Sequence, residues 1–200
     1  MSESGWVLIP AREHHRGYFK VKHVFSNVLA PIVACAELSY NPADAVSVLM
    51  QKSVDSAKDK LARYEALLTR ETLNMQDVSI TDYNSPKLKV LPASTIKVTS
   101  DVNATKRYII EELYANTQTP LVMKVASDIN LLNADYVAII SEPLKIVLSS
   151  EDVLNVGIPY ATQTLGLGLA LVNEYARLQK GLMYVNEKTS QIAVLLPVAL

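Results

Sequence analysis

Apolar side chains recur at steps of three and four residues between positions 42 and 70, and this period constrains the fold more than any other feature of the chain. The recurring residues are Val46, Leu49, Met50, Val54, Ala57, Leu61, Tyr64 and Leu68. Such spacing puts them on one face of an α-helix, and Asn41 followed by Pro42 is typical of a helix start. The sequence therefore predicts a long amphipathic helix over about 42–70, with charged side chains on its outer face.

Two further helices and a series of short strands are predicted in the rest of the chain. The helices span about 104–115, with Asp101 or Asn103 as the N-cap, and about 160–180, with Gly181 as the C′ residue. The predicted strands are Gly5–Ile9, Gly17–Phe25, Val78–Thr81, Lys87–Leu91, Thr95–Thr99, Leu121–Ala126, Tyr136–Ser141, Leu144–Leu148, Leu182–Val185 and Gln191–Leu196. Because helices and strands do not alternate regularly, we expect an α+β fold with short, mostly antiparallel strands.

The length and composition of the chain predict a single domain. Two hundred residues suit one domain, and no repeat of fixed period or Gly/Ser linker divides them. We expect residues 1–200 to form that domain, with residues 1–25 as an N-terminal arm or edge-strand contact element. A net charge of −1 argues against a dedicated nucleic-acid binder, since such domains usually carry a basic excess.

No segment of the sequence predicts secretion or membrane insertion. The first apolar stretch, Trp6–Pro10, is too short for a signal peptide, and no window reaches the roughly 20 apolar residues of a membrane span. The single Cys35 lies in an apolar setting, which predicts an inert thiol and no internal disulfide. We therefore expect the protein in a virion or the cytoplasm, without membrane contact.

A basic, histidine-bearing segment is the one stretch that suggests a site. Its candidate anion-binding or partner-contact residues are Arg12, His14, His15, Arg16, Tyr18, Lys20, Lys22 and His23. Adjacent histidines on a strand point to opposite faces, so the spacing of His14 and His15 does not suit a metal site. The cations and aromatic rings would suit a nucleic acid or another anion. An edge strand protected by lysine is the favoured interpretation, because Lys20 and Lys22 fall on one face.

No motif of a known catalytic or cofactor-binding site is present. Gly166 and Gly168 form a Gly-x-Gly pair, but they fall inside a helical pattern, so we expect them to permit close packing rather than to bind phosphate. The adjacent acids Glu111-Glu112 follow Lys106 and Arg107 by one helical turn, which predicts ion pairing. We therefore predict no catalytic residue, no cofactor and no metal.

The sequence favours a protein that acts through contacts with other proteins. The final ten residues, Gln191–Leu200, are almost wholly apolar and need a partner surface, and the middle of the chain holds short strands marked by proline. We predict a non-catalytic structural subunit of a large assembly, most simply a viral capsid or virion component, whose partners are copies of itself or other subunits. Two alternatives stay open: a nucleic-acid-associated protein using the basic N-terminal segment, and a small enzyme with a dispersed, motif-free site.

Overall fold

The described part of the chain forms one mixed α/β unit with few helices and a mostly antiparallel sheet. The computed structural model describes residues 5–10, 31–32, 45, 47–49, 52, 54–55, 72–91, 95–126, 135–144 and 165–199. Its strands are β1 (Trp6–Leu8), β2 (Gln76–Ser79), β3 (Leu88–Val90), β4 (Lys97–Ser100), β5 (Leu121–Val125), β6 (Tyr136–Ile140), β7 (Leu182–Asn186) and β8 (Gln191–Pro197). This outline agrees with the predicted α+β class.

Six of the strands form the main sheet, in the order β1-β7-β8-β6-β5-β3. Every neighbouring pair is antiparallel except β3 and β5, which run parallel. Strands β2 and β4 form a separate antiparallel pair, and a bridge between Val98 and Val198 connects that pair to the end of β8. The strands predicted over Leu182–Val185 and Gln191–Leu196 are confirmed, and they pair as the hairpin of β7 and β8. In its turn, Asn186 Oδ1 accepts from the backbone N–H groups of Lys188 at 3.0 Å and Thr189 at 3.1 Å.

Both faces of the main sheet carry buried apolar side chains: the larger cluster lies on one face, and a smaller cluster that includes Ala138, Ala193 and Leu195 lies on the other. Alternate residues of the central strands, such as Val137 and Ile139 on β6 and Val194 and Leu196 on β8, are fully buried. Two helices, α1 (residues 102–117) and α2 (Leu165–Leu178), contribute to the larger apolar cluster, and α2 contacts both β7 and β8.

The first of these helices, α1, begins with Val102–Ala104, continues as π-helical turns over Thr105–Ile110, and ends with Glu111–Thr117. Asp101 is its N-cap, since the Asp101 carboxylate accepts from the Ala104 N–H at 2.9 Å. The helix predicted over about 104–115 is therefore confirmed, with one of its two suggested caps. Tyr108, inside the π-helical turns, stacks on Tyr175 of α2 with 3.9 Å between ring centroids.

The second helix, α2, spans Leu165–Leu178 and ends two residues before the predicted end at about 180. Lys180, at φ 58°, takes the left-handed C′ position that was expected for Gly181. The Lys180 N–H donates to Arg177 O at 2.9 Å and the Gly181 N–H to Ala176 O at 2.8 Å, which is a Schellman ending. Gly181 has a different role: a Cβ there would lie 2.2 Å from Leu195 O, so glycine permits the close approach of β8.

Several predicted elements lie wholly or partly outside the described residues. The strand Gly17–Phe25 and the positions 160–164 of the third predicted helix lie outside, as does the strand Leu144–Leu148 except for Leu144, which is not in a strand. Of the helix predicted over about 42–70, residues 45, 47–49, 52 and 54–55 are described and helical, but a continuous helix of that length is not shown. Within the described ranges, no helix is both long and apolar enough to cross a membrane.

Candidate functional site

The two helices pack with opposite directions, so the start of α1 meets the residues that follow α2, and the end of α1 meets the first half of α2. We call the first junction the closed end: Tyr83, Ser100, Asp101, Thr105 and Gln179. We call the second junction the open end: Glu112, Asn116 and Gly168, with Thr119 in the turn that follows α1. Both junctions bury polar side chains, but they satisfy them differently.

At the closed end, the side chain of Gln179 connects the two helices. It is fully buried, and its Oε1 accepts from the Asp101 N–H at 2.8 Å and from Thr105 Oγ1 at 2.9 Å. Its Nε2 donates to the carbonyl of Tyr175 at 3.0 Å. A buried amide with both ends paired stabilises a single arrangement of the helices, so this junction has a structural role.

The phenol of Tyr83 adds a titratable group to the closed end. Its hydroxyl hydrogen-bonds the buried Ser100 Oγ. Burial raises the pKa of Tyr83 above its ordinary value of 10.0, although hydrogen bonds from Ser100 and Thr105 act in the opposite direction. The neutral phenol is thus the form that the folded protein stabilises.

The open end places a carboxylate and an amide beside a glycine. Glu112 is only 7% exposed, and the Asn116 Nδ2 donates to the Glu112 carbonyl at 2.6 Å. A Cβ at Gly168 would lie 2.6 Å from Glu112 Oε2 and 3.1 Å from Asn116 Nδ2. The close-packing role predicted for Gly168 is confirmed. Because this residue has no Cβ, α2 packs closely against the face of α1 that carries Glu112 and Asn116.

The two adjacent acids of α1 have different environments. Glu111 is on the outer face, where it pairs with Lys87, and the Lys87 ammonium lies 5.4 Å from the centre of the Tyr114 ring. Glu112 faces inward. The predicted ion pairing with Lys106 and Arg107 therefore missed the inward carboxylate; the signal that could have found it is the four-residue spacing of Glu112 and Asn116 on one helix face.

Thr119 lies two residues beyond the end of α1. Thr117 Oγ1 donates to its carbonyl at 3.2 Å. Its own Oγ1 is buried and has no hydrogen-bond partner in the described structure. Buried hydroxyls are normally paired, so this oxygen distinguishes the open end from the closed end.

At the open end, the side chains with oxygens that a cation could use are the Glu112 carboxylate and the Asn116 amide. Mg²⁺ prefers carboxylate, amide and phosphate oxygens and keeps few ligands from the protein itself. Among the described residues, no group of three or more His, Cys, Asp or Glu side chains could hold a metal ion. A cation at Glu112 and Asn116 would therefore need further oxygens, which a bound phosphate supplies.

The histidine-bearing segment of the sequence cannot be placed relative to this site. Its candidate residues, Arg12 to His23, all lie outside the described residues. Their contact with an anion, a nucleic acid or a partner stays a prediction.

The comparisons with known proteins find likeness in structure only. No protein-family profile matches the chain, and no curated protein matches it in sequence. The fold is similar to that of the histidine kinase AdeS from Acinetobacter baumannii, with a TM-score of 0.57 and 12% identity over 90% of this chain and 96% of that one. Full-length ShkA, solved in complex with AMPPNP, aligns with 92% of this chain and 45% of its own, at 12% identity and a TM-score of 0.48.

The likeness to AdeS overturns the function predicted from sequence. The prediction of a non-catalytic virion or capsid subunit is wrong, because the chain has a fold that a histidine kinase also has. The expectation that the protein is not an enzyme is corrected by the same finding. The apolar residues Gln191–Leu200 had suggested an external partner surface. Those over Gln191–Pro197 instead form β8, between β6 and β7, and Leu200 lies outside the described residues.

Proposed function

We propose that the open end binds a magnesium-chelated nucleoside phosphate, as a kinase requires. The observation that carries this proposal is the approach of Glu112 Oε2 and Asn116 Nδ2 to Gly168, where the absence of a Cβ brings the first half of α2 to a carboxylate and an amide. The fold shared with a protein named a histidine kinase supports it.

The roles of the residues follow from their chemistry. Glu112 and Asn116 would hold the cation through side-chain oxygens, and the N–H groups at the start of a helix favour phosphate oxygens. The bound cation would offset the negative charge of the phosphates. Thr119 Oγ1 provides a further oxygen near the end of α1.

Equilibrium binding of ATP in the presence of Mg²⁺ tests this function. We expect the Glu112→Gln variant to weaken binding by about tenfold or more, since a charge-assisted contact is worth about 1.5–3 kcal/mol. Glu111→Gln is the matched control, because it makes the same change one residue away on the outer face and should bind as the unmodified protein does. Equal affinity of both variants, or no binding of Mg²⁺–ATP by the unmodified protein at millimolar concentration, would contradict the proposal.

We also propose that the segment over about 42–70 is an amphipathic helix that contacts a second copy of the chain. Val48 and Leu49, both helical, are 51% and 52% exposed, and neighbouring apolar side chains left in solvent favour association. Replacing both with serine should shift the protein toward a monomer in light scattering at micromolar concentration. An unchanged mass for this variant would remove the proposal.

A further inference from the structure

A cavity of about 380 Å³ lies at the edge of the main sheet, away from the open end. We call it the β1 pocket. Its apolar walls come from Leu8, Ile9, Pro10 and Leu182, and its cationic groups come from Arg177 and Lys180. Because Arg177 and Lys180 are at the last turn and the end of α2, the pocket is separated from Gly168 by most of that helix.

The walls of the β1 pocket are held by the sheet and by α2. The Ile9 N–H donates to Met183 O at 2.9 Å and extends the pairing of β1 with β7. Asn173 Nδ2 donates to Pro10 O at 3.3 Å, which fixes the end of this segment against α2. Leu8 is nevertheless 45% exposed, so one apolar wall faces solvent when nothing is bound.

The cationic side of the pocket includes a residue in an unfavourable conformation. Lys180 has a φ of 58°, in a position where glycine is preferred and where another residue costs on the order of 1 kcal/mol. Its helix ending is complete without the side chain, since the Schellman hydrogen bonds use only backbone groups. The lysine side chain therefore contributes nothing to the helix ending that glycine would not provide.

The charge of the pocket is complementary to an anion. The described residues that line the pocket include no acid; the acid that pairs with Arg177 is Glu174, at 3.5 Å, one turn earlier on the helix. A volume of this size is at the lower end of the range for small-molecule sites, which combine apolar walls with a few fixed polar groups.

We propose that the β1 pocket binds a small carboxylate with an apolar body, its carboxylate between Arg177 and Lys180 and its apolar part against Leu8, Pro10 and Leu182. This site is independent of the nucleotide proposed at the open end. It gives the domain a second ligand, chemically unlike the first, at the opposite end of α2.

Binding of octanoate, measured by calorimetry on the full chain, tests the proposal. Octan-1-ol is the matched ligand, because it has the same apolar chain without the charge. We expect octanoate to bind at least about tenfold more tightly than the alcohol, since the carboxylate makes charge-assisted hydrogen bonds that the hydroxyl cannot. Equal affinities, or no binding of octanoate at millimolar concentration, would overturn the proposal.

Two variants locate the binding. Lys180→Gly removes one cation while placing the residue best suited to a positive φ, so loss of octanoate binding cannot be attributed to unfolding. Arg177→Gln removes the other. Each should weaken octanoate binding by about threefold or more and leave binding of the alcohol unchanged. Lys89→Gln, an exposed change on β3 at the opposite edge of the sheet, is the control. Octanoate affinity that is unaltered in both pocket variants would overturn the assignment.

Discussion

The two ends of the α1–α2 pair bury similar polar groups but satisfy them to different degrees. At the closed end, Gln179 pairs with Asp101, Thr105 and Tyr175. At the open end, the buried Thr119 Oγ1 has no partner in the described structure. Polar groups that are fully paired contribute to the stability of the fold, whereas an unpaired buried oxygen costs free energy unless a ligand or water satisfies it. The difference gives the closed end a structural role and is consistent with the ligand binding that we propose for the open end.

The glycines near the two ends differ in the same way. A Cβ at Gly181 would meet backbone oxygens, Leu195 O at 2.2 Å and Ala176 O at 2.9 Å. A Cβ at Gly168 would meet the tips of side chains, which can rotate away. We therefore expect alanine at Gly181 to disturb the fold, and alanine at Gly168 to displace the side chains of Glu112 and Asn116.

The largest expected effect is the loss of stability in Gly181→Ala. Backbone atoms cannot move aside without disturbing β8, so we expect a cost of at least about 3 kcal/mol in the free energy of unfolding. Gly168→Ala should cost less than about 1 kcal/mol while weakening Mg²⁺–ATP binding, because Glu112 must shift. Urea unfolding and nucleotide titration of both variants measure this. Equal stability losses would remove the distinction between the two ends.

A smaller effect is expected from one isosteric substitution made at each end. Thr105→Val removes a hydroxyl that donates to Gln179 at 2.9 Å, so it should cost about 1–2 kcal/mol. Thr119→Val removes an unpaired buried hydroxyl, so it should be neutral or stabilising by up to about 1 kcal/mol. Thermal and urea unfolding of the two variants give the comparison. A loss of similar size at Thr119 would mean that this hydroxyl is already paired.

The smallest effect concerns the closed end at alkaline pH. Because burial raises the pKa of Tyr83, the unfolded chain releases this proton at a lower pH than the folded protein does. The contribution of Tyr83 to the free energy of unfolding is fully present below its pKa of about 10 in the unfolded chain. It is lost as the pH rises through the higher pKa of Tyr83 in the folded protein. Tyr83→Phe should flatten the decline in the free energy of unfolding above about pH 10, measured by urea unfolding, and Tyr114→Phe serves as the control. A decline that is equally steep in the Tyr83 variant would contradict this assignment.

The elements that the sequence predicted correctly depend on local signals. The Asp101 cap and the hairpin of β7 and β8 are specified by residues a few positions apart. The left-handed Lys180 was missed because Gly181 is required by the approach of β8, which no local pattern reports. The inward position of Glu112 was missed for a related reason: it depends on where α2 packs, and the π-helical turns at Thr105–Ile110 alter the register of α1 ahead of it.

The position of β8 has a consequence for how the protein is made. This strand lies between β6 and β7, yet it follows every other described strand in the sequence. During synthesis on the ribosome, the edges of β6 and β7 that pair with β8 therefore have no partner until β8 has emerged. Exposed strand edges of this kind are templates for aggregation, so we expect premature stop codons ahead of residue 191 to give insoluble product rather than a smaller folded sheet.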